Sequence, residues 1–298
     1  MATFLISSAR RIHAEFGFRK LRFFIVRYVQ LFPHSQRWLG FIERFHRRHT
    51  GAPAPVEMLR TKFMRTYYSR RVRPSQRLQR LRMHYELLEA RLSTAALAGW
   101  LEGTVFPLAE ITGRDGHSYR FSLGQHDRYR AEGEITLFMR RDGDDPALAA
   151  LTFGLGRDRR GGLIVRIGGL QGPQAEDARQ QVVDATRALN GLRPKAAALH
   201  VLYAIAEAFG AGRVEAVGMN NHPLRNAKHA FVADSDAFWD EAGGRRTPQR
   251  DFVLPRRPVS RNLEEVPAKK RKDWLKRLAI RTELAAQAAA ALAGQFKR

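Results

Sequence analysis

Leu163-Ile164-Val165-Arg166-Ile167-Gly168-Gly169-Leu170-Gln171-Gly172 is the stretch on which the fold turns. Residues 163–167 form a short β-rich run with one arginine inside it, and the glycines that follow read as a turn. Upstream, residues 119–123, 134–140 and 147–155 are similar short runs separated by Gly, Asp or Pro, so the four together predict an antiparallel meander. Downstream, residues 176–190 carry a helical pattern stopped by Gly191, and Pro194 opens a second helix over 195–209 stopped by Gly210. Residues 213–219 return to strand character. A meander followed by helix, helix and strand buries its apolar surface as packed layers, which predicts an α+β fold.

Outside this core the chain changes character at both ends. Phe16, Phe18, Leu21, Phe23, Phe24, Ile25, Tyr28 and Leu31 alternate with Arg10, Arg11, Arg19, Lys20, Arg22 and Arg27 over residues 4–32, a basic, aromatic-rich helical pattern. Such a helix suits a membrane interface, where arginine stems and rings share the boundary, and it equally suits a surface helix packed on a core. Gly51-Ala52-Pro53-Ala54-Pro55 is a linker or turn, and helical pattern resumes over 56–101 with an interruption at Pro74. Residues 234–244 read as a short amphipathic turn, 252–255 as a terminal strand, and 268–293 as a basic, then alanine-rich helix. The organisation expected is a basic helical region over 1–100, an α+β core over 101–260 and a basic C-terminal helix over 261–298.

The net charge of +23 follows that division. Residues 1–100 contribute +15, residues 101–244 contribute −2 and residues 245–298 contribute +10. A near-neutral centre between two basic ends is the pattern of a protein that meets a polyanion with its periphery, either an anionic membrane surface or a nucleic acid. For nucleic acid, Phe63, Tyr67, Tyr68 and Trp274 are the rings available for base stacking, without a recognised binding motif around them. Hydrophobic residues at 44% and aromatic residues at 10% supply enough apolar surface for a folded core. Cys is absent, which excludes disulfides, thiolate metal sites and cysteine nucleophiles. No basic residue precedes Phe4-Leu5-Ile6 and the apolar run ends at Ser7, which reads against a secretion signal, and Phe23-Phe24-Ile25-Val26 is far shorter than a membrane span. The expected location is cytoplasmic, peripheral on the inner membrane.

Several stretches then match one family in order and spacing. They include His84-Tyr85-Glu86, Glu132-Gly133-Glu134, Leu151-Thr152-Phe153, Ile167-Gly168-Gly169-Leu170-Gln171-Gly172, Gly191-Leu192-Arg193-Pro194-Lys195 and Phe238-Trp239. From residue 10 to residue 285 the chain resembles the VirK/YbjX family, with departures at Asn190, where the family has His, and at Asp236, where it often has a Tyr-Asp pair. The resemblance implies a role in the bacterial cell envelope, in virulence, surface-protein localisation or tolerance of cationic antimicrobial peptides, with an envelope protein as a further partner. It assigns no catalytic residue.

Candidate ligand residues follow from local chemistry. Gly168, Gly169, Gln171 and Gly172 would present backbone N–H groups at a helix N-terminus, a place where anions bind, although the turn lacks the patterns of nucleotide-binding loops and also reads as a tight connection needing glycine. Arg187, Arg193 and Lys195 flank a helix break where they could share an anionic ligand or pair with Glu176, Asp177 or Asp184. The element order is similar to the centre of an N-acetyltransferase fold, in which the split beside the last strand takes an acyl-CoA pyrophosphate. Asn220 and His222 would then face a substrate, with His222 as a base, in an acyl- or aminoacyl-transferase. The Arg/Gln-x-x-Gly-x-Gly/Ala loop of that fold is missing here. His46 with His49, and His222 with His229, are closely spaced histidine pairs; neither has a ligand-like spacing with a carboxylate, so no metal is expected. His200, between Leu199 and Val201, reads as a core or boundary residue.

Overall fold

Tyr119, Phe121 and Leu123 alternate with outward-facing Arg120 along β2 (Ser118–Gly124), so one face of that strand is committed to a core. The computed structural model describes residues 2–55, 59–142, 146–225, 235–259 and 262–297. In it β2 pairs antiparallel with β1 (Phe106–Thr112) and with β3 (Ile135–Arg141), and the meander continues through β4 (Ala149–Arg157) and β5 (Leu163–Gln171). β1 was not among the four runs from which the meander was expected, and it contains Pro107. Proline is tolerated at a sheet edge, and β1 is the edge strand, with a register irregularity between Pro107 and Ala109.

A parallel neighbour needs a crossover, and α5 (Ala178–Ala188) with α6 (Pro194–Ala208) supplies it before β6 (Arg213–Ala216) joins β5. Gly191 lies in the left-handed region at φ 86° and donates its N–H to the Thr186 carbonyl, which closes α5 as the sequence predicts. β8 (Phe252–Leu254) pairs with β6, and two-residue β7 (Arg245–Arg246) forms the other edge, completing an eight-stranded, mostly antiparallel sheet ordered β1-β2-β3-β4-β5-β6-β8-β7. The chain is α+β, as its element order predicted.

β4 is buried from Ala149 to Gly156 because α6 and α3 (Pro74–Arg91) both pack on it, so helices cover the sheet centre on both faces. α8 (Ala268–Ala293) lies against α6 and β1 through Leu284, Ala288 and Leu292. α2 (His34–Thr50) and α4 (Thr94–Leu101) pack together beside α3, and α7 (Ser235–Glu241) precedes β7. α1 (Ala2–Gln30) is kinked at Gly17, whose φ of 76° is non-helical, and it buries Ile12 and Phe24 against the rest. One contiguous core runs from Ile12 in α1 to Leu292 in α8. No helix among the described residues is long and apolar enough to cross a membrane.

Candidate functional site

Gly168 and Gly169 are strand residues. β5 continues through Gln171, residues 172–177 separate it from α5, and the expected glycine turn at a helix N-terminus is not formed. The glycines are needed for a different reason than a left-handed turn: neither has positive φ, but a Cβ at Gly168 would overlap the Glu132 carbonyl oxygen, and one at Gly169 would overlap the Glu132 carboxylate. The segment Glu132-Gly133-Glu134 crosses the sheet at the register irregularity between Thr152 and Phe153, and a Cβ at Gly133 would come within 2.6 Å of the Phe153 carbonyl oxygen. A β-rich strand with two successive glycines therefore marks a close backbone approach.

Glu132 is fully buried. Its Oε1 accepts from Gln171 Nε2 at 2.9 Å and lies 3.3 Å from His222 Nε2, while Oε2 has no hydrogen-bond donor among the described residues. His222 is buried in the chain after β6, and its Nδ1 accepts the Leu224 N–H at 3.3 Å. That bond places the ring proton on Nε2, facing Glu132. His222 thus meets Leu224 through Nδ1 and Glu132 through Nε2. Glu132 is the group with spare acceptor capacity, and sequence reasoning missed it although Glu132-Gly133-Glu134 is one of the stretches that carry the family resemblance. A lone buried carboxylate has no sequence signature of its own.

The turn carrying His222 is fixed by carboxylates. Met219 N–H donates to Asp236 at 2.7 Å, Gly218 N–H to Asp251 at 3.0 Å, and Asn221 Nδ2 to Asp251 at 2.8 Å. Asn220 is half-buried and its Oδ1 accepts from Arg225. His229 lies outside the described residues. Among the described residues no three His, Asp or Glu side chains are placed to hold a metal ion.

The three cations near the helix break have different surroundings. Arg187 is 77% exposed and 3.8 Å from Asp184, the ion pair that the sequence offered as the structural alternative. Arg193 is paired with Glu241. Lys195 packs its stem beside Gly172, and burial, with Arg193 nearby, pushes its pKa below the ordinary lysine range. Two surface cavities, of about 260 Å³ between α2 and α3 and about 400 Å³ at the β6–β8–β7 edge, are lined by other residues. Glu132 and His222 are buried and Gln171 is half-buried, in the region where β5 and β6 part after Ile167 and Ala216.

The other candidate surface is α1. Phe24 and Leu31 point inward, whereas Phe18 (70% exposed), Ile25, Val29 (67%) and Phe32 (58%) point out, with exposed Arg22 in the same stripe. Phe18, Ile25 and Val29 are spaced 7 and 4 apart, one helical face, and Phe32 lies in the turn after α1. Arg10, Arg11 and Arg19 are exposed beside it. Lys20 is half-buried with its ammonium 4.6 Å from the Phe16 ring centre, and Arg27 donates to the Met64 carbonyl at 3.1 Å and to Gln30, so Arg27 is committed to holding α1 down. Phe63, Tyr67 and Tyr68 are buried and offer no platform for base stacking.

Residues 16–290 match the family model described as "Protein of unknown function (DUF535)", which is the VirK/YbjX family. The chain belongs to this family. The uncharacterized protein YbjX of Escherichia coli strain K12 is 29% identical over 218 residues, a match spanning 72% of this chain and 66% of that relative, just under two thirds of its length. An uncharacterized protein of Haemophilus influenzae is 24% identical over 225 residues, covering 74% of this chain and 72% of that one. Among solved structures, a mutant of a cAMP-binding acyltransferase from Mycobacterium smegmatis aligns over 71% of this chain and 61% of its own with 10% identity and a TM-score of 0.29. The family match takes in Glu132, His222, Gln171 and the outward stripe of α1, and leaves Arg10 and Arg11 outside it.

Proposed function

We propose that this protein is a cytoplasmic, peripheral component of the cell envelope that binds the anionic membrane surface through α1 and supports envelope remodelling or tolerance of antimicrobial peptides. The observation that carries the reading is the outward stripe of Phe18, Ile25 and Val29 with Arg22 in line and Arg19 alongside, on a helix whose opposite side already fills the core, continued by exposed Phe32 in the turn that follows. An apolar stripe bordered by arginines gains from both hydrophobic burial in the headgroup region and attraction to anionic lipid. Vesicle co-sedimentation of the full chain tests it. Wild type should bind phosphatidylglycerol vesicles and not phosphatidylcholine vesicles, and the exposed triple change F18S/I25S/V29S should weaken binding by about a hundredfold, given roughly 25 cal/mol per Å² of apolar area withdrawn from water. Equal binding by the triple variant rejects the reading.

A second reading, acyl or aminoacyl transfer, is favoured by one observation. The parallel strands β5 and β6 part after Ile167 and Ala216, and Lys195, with no ion pair among the described residues, lies beside Gly172 at the end of the longer strand. Acyl-CoA or aminoacyl-tRNA should then stabilise the protein against heat and lose that effect on K195Q; no thermal shift with either donor removes this reading.

A further inference from the structure

Arg245, Val253, Glu215 and Arg166 occupy paired positions across β7, β8, β6 and β5, and paired positions share one face of a sheet. Arg213 lies two residues before Glu215 on β6 and so joins the same face. Arg246, the neighbour of Arg245, points to the other face, where it meets Asp240 at 2.9 Å, Asp236 at 3.4 Å and the Phe252 ring. Glu215 is the only acidic residue in that cross-strand row, and it is already shared: Arg166 Nε lies 3.1 Å from one oxygen and Arg213 Nη2 3.0 Å from the other. The nearest acids on α7 are taken as well, Asp236 and Asp240 by Arg246 and Glu241 by Arg193.

On this face, the cavity of about 400 Å³ is bounded by Arg213, Arg245, Arg256, Val253 and Pro255. Arg245 and Arg256 are exposed and have no ion pair among the described residues, and the Nε of Arg213 is buried without an acceptor. Gly212 leaves the cavity wall bare, since a Cβ there would meet nothing. Three guanidinium groups around a concave space, in surplus over the one carboxylate, focus positive potential inward, and their planar forks match the oxygens of a phosphate.

We infer that this edge cavity is a binding site for a small phosphate-bearing ligand, with Arg245 and Arg256 as its principal contacts and Arg213 held in place by Glu215. The ligand is either a soluble phosphoester or the phosphate of a lipid headgroup, and the site is separate from both α1 and the Glu132 group.

The test uses the full chain and pyrophosphate as the probe, by calorimetry at constant ionic strength with chloride as the background anion. R245Q/R256Q should weaken pyrophosphate binding by about tenfold or more, whereas R159Q/R160Q, which removes the same charge from an exposed turn, should change it by less than about twofold. The unliganded melting temperature of each variant reports that folding is intact. Loss of phosphatidic-acid vesicle binding together with pyrophosphate binding in R245Q/R256Q identifies the lipid headgroup; loss of pyrophosphate binding alone identifies a soluble ligand. Equal weakening in both double variants, or no binding by the wild type, overturns the site.

Discussion

Lys62 Nζ lies 2.8 Å from Glu134 Oε1 with both side chains almost wholly buried, and this pair joins the N-terminal helical region to the start of β3. Lys62 also donates to the Gly133 carbonyl at 2.9 Å, and Glu134 accepts from the Tyr85 hydroxyl at 2.6 Å. Removing one member of such a pair leaves an uncompensated buried charge. Lys62→Met should therefore lower stability by about 3–5 kcal/mol. Adding Glu134→Gln, which keeps an acceptor for Tyr85, should recover part of that loss. Urea unfolding of the two variants measures both effects.

Gly169→Ala should destabilise the fold by about 1–3 kcal/mol, because the added methyl displaces the Glu132 carboxylate from Gln171 and His222. Glu132→Ala removes the obstructing group, so the cost of Gly169→Ala should be smaller in the Glu132→Ala background. Gly168→Ala meets backbone and has no such rescue. A double-mutant cycle by chemical denaturation separates the two cases, and additive effects at 132 and 169 would contradict the contact.

His84 is fully buried, accepts the Leu155 N–H at Nδ1, and is pushed down to about 4, chiefly by burial. In the unfolded chain its pKa returns to about 6.5. Between those values the unfolded state holds a proton that the folded state refuses, so the stability present above about pH 6.5 is lost as pH falls toward 4. The stability gap between pH 7 and pH 4.5 should be about 2–3 kcal/mol narrower in His84→Gln than in wild type. His200, also lowered to about 4 by burial and by Arg281, keeps its own contribution in that comparison.

Arginines on α1 divide into two kinds. R10Q/R11Q/R19Q/R22Q should reduce binding to anionic vesicles and flatten its salt dependence while leaving the melting temperature near wild type. Arg27→Gln should do the reverse, because it loses the Met64 carbonyl contact and leaves the exposed charge in place. Vesicle binding at about 0.05 and 0.5 M salt, with melting curves alongside, distinguishes them.

The amino-acid sequence by itself determined the order of elements from β2 to β6, the strand β8 and the helix α8, the helix stops at Gly191 and Gly210, the basic ends and the family, but not α7 as a helix or the strand β7. Those features are local: period-two alternation, capping residues and charge blocks act over a few residues, so they can be read without knowing what packs where. β1 was not read from the sequence, and its proline is compatible with a strand because the strand is an edge.

What only the tertiary structure decided depends on pairs far apart in sequence. That Gly168 and Gly169 make room for Glu132, that His222 Nε2 lies against Glu132 while its Nδ1 accepts the Leu224 N–H, and that Arg27 faces inward while Arg22 faces out are all set by which segments cross. The same holds for Arg245 and Arg246: alternation sends adjacent strand residues to opposite faces, and the pairing with β8 decides that Arg245 is the one on the Glu215 face.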